Sequence, residues 1–199
     1  MQNINYIDYL KDDGVIVQIG SYDGVAGENF WLRELMLAGN YTCHLLEPLD
    51  DVFTELKKNY ADATSNMNFH NCAIYTADGF MTFYKFKDYS SFVDKDGVLA
   101  NPGSATVLVK SQRLPTFFEE NKITEVDGLF LDVEGVENVI IRQLFQETSV
   151  RPAIIRYEWI HVKGLEEMED IIRSNGYTIT PCVHTPWLDK VCVRNDLIK

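Results

Sequence analysis

VIVQIGSYDG, residues 15–24, is the stretch from which the rest of the chain can be read. Val15, Ile16, Val17 and Ile19 make a short apolar run, the composition of a strand buried on both faces of a parallel sheet. The run stops at Gly20, and Gly24 follows, so the backbone can turn sharply there and approach a ligand more closely than residues with a Cβ allow. Residues 42–46 (TCHLL) read as a second strand, and Glu47 closes it 27 residues after Gly20. In a β-α-β unit these two strand ends lie side by side at the carboxyl edge of the sheet, where ligands bind. A carboxylate accepts two hydrogen bonds at once, which suits Glu47 to the two hydroxyls of an adenosine ribose. The loop of Gly20, Ser21, Tyr22, Asp23 and Gly24 is then expected to hold the rest of a nucleotide cofactor.

Outward from this unit, strand and helix patterns alternate. Residues 4–11 carry Ile4, Tyr6, Ile7 and Leu10 at helical spacing, a short helix expected beneath the first strand. Residues 28–38 have helical period and stop at Gly39-Asn40, with Phe30, Trp31, Leu35 and Met36 expected toward the sheet. Pro48 suits the first turn of a helix over 49–60, where acids come early and lysines late, as the helix dipole favours. Residues 67–72 read as a third strand, with Ala73 just past it where an adenine would rest. Residues 80–86 alternate like a half-exposed antiparallel strand, 107–111 read as another, and Pro115 opens a helix to 121. Buried strands follow over 128–133 and 152–157, with helices over 137–145 and 165–175. Strands 177–182 and 190–194 are expected to pair antiparallel across a turn containing Pro186-Trp187. Residues 87–103 are mostly polar, with Gly and Pro, and a loop of that length reads as a substrate lid. The pattern predicts one α/β domain over 1–199, with a doubly wound, mostly parallel seven-stranded sheet closed by an antiparallel hairpin.

Composition narrows the partners. The formal net charge of -12, with no cluster of Lys and Arg, argues against nucleic acid and against an anionic membrane surface. The N-terminal MQNINYIDYLKDDG has neither a basic nor an apolar leader region, and no run approaches the ~20 apolar residues of a membrane helix, so a cytoplasmic location is expected. Cys43, Cys72, Cys182 and Cys192 form no C-x-x-C and read as small buried hydrophobes.

Two late strands deliver acids to the same sheet edge: Asp132-Val133-Glu134-Gly135 after one, and Glu158, with His161 three residues beyond, after the other. With these residues placed, the sequence resembles the FkbM-type methyltransferases over residues 15–159. IGSYDG (19–24), LLEP (45–48), LFLDVEGVE (129–137) and IIRYE (154–158) carry the resemblance, and the third is the specific motif. The resemblance implies a Rossmann-like class I methyltransferase fold, S-adenosylmethionine as cofactor, and most often a hydroxyl of a sugar or glycan as acceptor. It implies cofactor contacts at Gln18, Gly20, Ser21, Tyr22, Asp23, Gly24, Glu47, Pro48, Ala73 and Asp132. Many family members have an acid where this chain has Gln18, and Ala and Asn where it has Ser21 and Tyr22. Gln18 supplies no negative charge for the methionine ammonium, which leaves Asp23 for that role.

Methyl transfer from a sulfonium to a hydroxyl needs in-line alignment and removal of a proton. Asp132, Glu134, Glu158 and His161 are the candidate catalytic residues. Clustered carboxylates repel one another unless a cation joins them. Two readings therefore stand. In one, Asp132, Glu134 and Glu158 hold Mg²⁺ or Ca²⁺, which binds and acidifies the acceptor hydroxyl. In the other, which is preferred, the site is metal-free, His161 is the general base and Glu134 orients the substrate. A nicotinamide-dependent oxidoreductase is the alternative enzyme, but no Tyr is followed four residues later by Lys. A non-catalytic nucleotide-binding scaffold is the other alternative, and the acids at two strand ends count against it.

Overall fold

The computed structural model describes residues 5–26, 30–86, 89–91 and 105–198. In chain order its elements are β1 (Val15–Ile19), α1 (Phe30–Ala38), β2 (Thr42–Leu46), α2 (Asp50–Asn59), β3 (Asn66–His70), β4 (Ala73–Ile74), β5 (Gly79–Phe86), β6 (Tyr89–Ser91), β7 (Ala105–Gln112), α3 (Leu114–Glu120), β8 (Gly128–Leu131), α4 (Glu137–Glu147), β9 (Ile154–Glu158), α5 (Leu165–Ser174), β10 (Tyr177–Pro181) and β11 (Asp189–Arg194). Among the described residues the main sheet has seven strands in the order β10-β11-β9-β8-β1-β2-β3. β11 runs antiparallel to both β9 and β10, and β9, β8, β1, β2 and β3 pair in parallel, so the expected doubly wound sheet with its closing hairpin is present.

The register is what builds the site. Ile19 lies opposite Leu46 on one side and Leu131 on the other, and Leu131 lies opposite Tyr157. The next residue of each strand, Gly20, Glu47, Asp132 and Glu158, therefore reaches the carboxyl edge at one level. Alternate residues of each strand face opposite sides, so each face has its own core. On one face Val17, Ile19, Leu129, Leu131 and Ile155 pack with Phe117 of α3, Ile140 and Leu144 of α4, and Ile172 of α5. On the other, Ile16, Cys43, Leu45, Phe130 and Ile154 pack with Leu32 and Met36 of α1, Leu56 of α2 and Tyr6. Burying one such aliphatic or aromatic side chain contributes about 1.5–3 kcal/mol, so the two faces together anchor the strand ends firmly.

Several sequence expectations need correction. Residues 4–11 make no α-helix among the described residues, only a 3-10 turn at Tyr6–Tyr9, with Tyr6 fully buried and Ile7, Tyr9 and Leu10 partly buried against the same core. Pro48 lies outside the helix it was expected to open; α2 begins at Asp50 with Leu49 as its N-cap. The third strand ends at His70, since Ala73 and Ile74 belong to a second sheet that the sequence pattern did not reveal. Strands 80–86 and 107–111 are real, but as β5 and β7 they pair with each other in that sheet, of order β4-β7-β5-β6. Phe83 and Val109 on its inner face pack with Leu49, Ala73 and Val136 over the carboxyl edge of the main sheet. Of the expected lid at 87–103, Tyr89–Ser91 forms β6 and the remainder lies outside the described residues, as do the side chains of Phe30 and Trp31. No helix among the described residues is long and apolar enough to cross a membrane.

Candidate active site

β1 leads into Gly20, whose φ of +82° is in the left-handed region. A Cβ at Gly20 would lie 1.8 Å from the Asp132 carbonyl oxygen, so only glycine lets the exits of β1 and β8 pass this closely. The N–H groups of Gly20 and Ser21 both donate to the Leu46 carbonyl, at 3.1 and 2.9 Å, which ties the loop to the end of β2. Tyr22, also at positive φ, donates its N–H to Glu47 Oε2 at 3.1 Å, and Leu49 N–H donates to Glu47 Oε1 at 2.8 Å. Glu47 is 5% exposed, and burial pushes its carboxyl up to about 7 against the pull of those two N–H groups. Each oxygen keeps a second lone pair, so this is a desolvated acceptor suited to further donors such as a ribose diol.

The described residues enclose a cavity of about 400 Å³ that begins at this corner. Gly20, Tyr22, Glu47, Pro48, Ala73 and Asp132 line it, with Ile74, Phe83 and Val136 as apolar wall. Gln18, Ser21, Asp23 and Gly24 are not among its lining residues. Gln18 is buried in the sheet, and Ser21 donates its hydroxyl to the Gln18 carbonyl. Asp23 accepts the N–H groups of Val25 and Ala26, bracing the loop. Gly24 packs where a Cβ would come within 2.3 Å of the Tyr60 ring. The glycine cradle, the buried carboxylate and the apolar wall fit a nucleoside, and hence S-adenosylmethionine, at this end.

The far end of the same cavity is lined by Glu134, Glu158 and His161. Burial first, and then the charge of Glu134, push Asp132 up to about 7, while Arg156 pulls it down. Arg156 is itself buried and paired with Asp189 at 2.5 Å beneath the site. Glu134 Oε2 lies 3.8 Å from His161 Nε2, and both side chains are mostly covered. Glu134, Glu158 and His161 offer metal-ligand atoms within 4.8 Å of one another, a different trio from the Asp132, Glu134 and Glu158 set expected from sequence. Sequence reasoning passed over Glu137 and Arg156, although both sit inside quoted motifs, LFLDVEGVE and IIRYE. Their partners, loop N–H groups and an aspartate 33 residues away, are set by the fold.

The family model of the methyltransferase FkbM domain matches residues 18–179. The chain belongs to the FkbM methyltransferase family. The match takes in every candidate site residue of this FkbM domain, from Gln18 to His161. The FkbM methyltransferase of Methylobacillus flagellatus KT is a structural neighbour, with TM-score 0.55 and 14% identity over 92% of this chain and 44% of that one. This chain thus spans less than half of that protein's length. Fibrillarin of Aeropyrum pernix, solved with natively bound S-adenosyl-L-methionine, is similar at TM-score 0.52 and 11% identity, covering 93% of this chain and 68% of that one. The Methanococcus jannaschii fibrillarin, a pre-rRNA processing protein, is similar at TM-score 0.50 and 12% identity, covering 94% and 69%. At such identities the likeness shows the fold. No curated protein matches the sequence. Family and fold together mark a methyltransferase domain.

Proposed function

We propose that this FkbM-family domain methylates a hydroxyl of a sugar or glycan, with S-adenosylmethionine as donor and His161 as general base. One observation carries the reading: a single cavity joins the Gly20–Glu47 corner to the Glu134–His161 pair, so a donor held at one end faces an acceptor held at the other. When bound, S-adenosylmethionine supplies an electrophilic methyl group on a sulfonium.

The chain's own residues do the rest. Glu47 accepts the ribose hydroxyls, Gly20 and Tyr22 shape the backbone around them, and Ala73 and Ile74 form the apolar wall for the adenine. At the acceptor end, 3.8 Å between Glu134 Oε2 and His161 Nε2 is too long for a direct hydrogen bond. Hydroxyl groups reach the pair from the cavity: one donates to His161 Nε2, which takes its proton, and a neighbouring one donates to the Glu134 carboxylate, which fixes the ring. A vicinal diol of a sugar presents that pair. The imidazolium formed on proton transfer is then stabilised by Glu134 and Glu158, so the step needs no bound ion. Phe83 and Val136 help to keep water from the reacting atoms.

The test is a mass-spectrometric screen of candidate glycans incubated with the protein and S-adenosylmethionine. The proposal expects a gain of one methylene mass on a hydroxyl of at least one neutral glycan. Transfer to nitrogen or carbon acceptors alone would overturn it.

A further inference from the structure

We propose that Glu137 is a positioning residue that holds the 133–135 loop so that Glu134 faces His161. Glu137 is the first residue of α4 and is 0% exposed. A glutamate this buried needs partners: besides its own N–H, Oε1 accepts the Val133 N–H and Oε2 accepts the Gly135 N–H, the last two at 3.0 Å each. Those two N–H groups flank Glu134. Glu134 itself stands at φ +56° and Gly135 at φ +104°, so two consecutive residues are left-handed, one of them with a Cβ. Such a turn does not hold itself. The carboxylate bridges it from within, and a negative group at the first position of α4 is favoured by the helix dipole.

The held loop is also the one that touches the base. A Cβ at Gly135 would lie 3.1 Å from the His161 carbonyl oxygen, and Asn138, one residue past Glu137, donates its side-chain amide to the Lys163 carbonyl. The start of α4 is thus stapled on one side to the Glu134 loop and on the other to the 161–163 turn. The Val136 N-cap has no side-chain oxygen with which to cap the helix, and the Glu137 carboxylate binds the loop N–H groups just before it. This inference rests on reading Glu134 and His161 as the acceptor-facing pair.

The test is an NMR titration of the four histidines in the full chain for wild type, E137Q, E134Q and the double variant. A Gln at 137 keeps one acceptor and turns an N–H toward the other loop N–H, releasing half of the staple. The groups facing His161 are Glu134, Glu158 and, further in, Asp132. The expected result is a downward shift of the His161 midpoint by roughly 0.5 pH unit in E137Q, the scale of losing a partly covered ion pair. E134Q should match it, the double variant should add little, and His184 should stay put. A folded E137Q with lowered melting temperature but an unmoved His161 midpoint would reduce Glu137 to a structural residue and overturn the proposal. Should E137Q not fold, G135A displaces the same loop from the His161 side, and an unmoved midpoint there overturns it equally. The readout needs neither cofactor nor acceptor, so a protein that failed to bind S-adenosylmethionine would sink the functional reading and leave this one to be judged separately.

Discussion

Glu47 and His161 sit at opposite ends of one cavity, and each is defined by what surrounds it more than by its residue type. The role of Glu47 is legible from spacing, because a strand, a glycine loop and a second strand leave few places for the acid that follows. That of Glu137 is not, since its carboxylate works on N–H groups that point inward only once the 133–135 loop has its left-handed turn. For the loop residues Ser21, Asp23 and Gly24 the fold adds bracing and packing that the motif does not spell out. At this scale the prediction concerns His161. Its replacement by Ala should lower methyl transfer about 10²–10⁴-fold, the usual effect of removing a general base, with cofactor binding retained. A protonated imidazole accepts no proton, so the wild-type rate should fall as pH drops through the histidine's own pKa, and chelators should leave it unchanged. Loss of activity on chelation, restored by Mg²⁺ or Mn²⁺, with His161→Ala near wild-type rate, would instead assign the Glu134, Glu158 and His161 trio to a metal.

Between elements, the least anticipated feature is the second sheet. The alternation over 80–86 announces a half-exposed strand, but its partner, 105–112, is distant in sequence and its register rests on long-range pairing, which local pattern does not encode. A further cross-element feature is the stacked pair His44 and His70 on β2 and β3, with Nδ1 of one 3.0 Å from Nε2 of the other and the Phe117 ring of α3 edge-on to both. That contact needs one donor and one acceptor, so the accepting ring is neutral, and burial disfavours a charge on either. Burial holds both below the ordinary histidine range, and burial with the neighbouring His44 and Lys110 takes His70 down to about 4. The unfolded chain therefore binds protons near pH 6.5 while the folded pair refuses them, so this pair's contribution to stability is lost as pH falls from about 6.5 toward 4. Glu47, Asp132 and Glu137, each raised to about 7, act in the opposite sense, since the folded protein takes up their protons first and gains stability as pH falls from 7. The histidine effect must then be read as a difference. Denaturant unfolding of wild type and His70→Gln at pH 7 and pH 5 should show wild type losing more stability, or gaining less, than the variant. An identical pH response in both would remove the pair from the account.

For the whole molecule, the order of strands and helices fixes where chemistry can occur. Five parallel strands end at one edge, the register levels Gly20, Glu47, Asp132 and Glu158 there, and the second sheet closes over them. The parallel strands and their shared edge follow from alternating patterns, which is why the main sheet was legible while its cover was not. The central claim is that the Gly20–Glu47 corner holds S-adenosylmethionine. Isothermal titration calorimetry of the full chain with S-adenosylmethionine and with its demethylated product tests it most directly, with Glu47→Ala as the comparison. The account predicts that both ligands bind wild type and that Glu47→Ala binds more weakly by about 1.5–3 kcal/mol, the cost of losing hydrogen bonds to a charged group. No binding of either ligand at roughly millimolar concentration, or an affinity unchanged by Glu47→Ala, would contradict it.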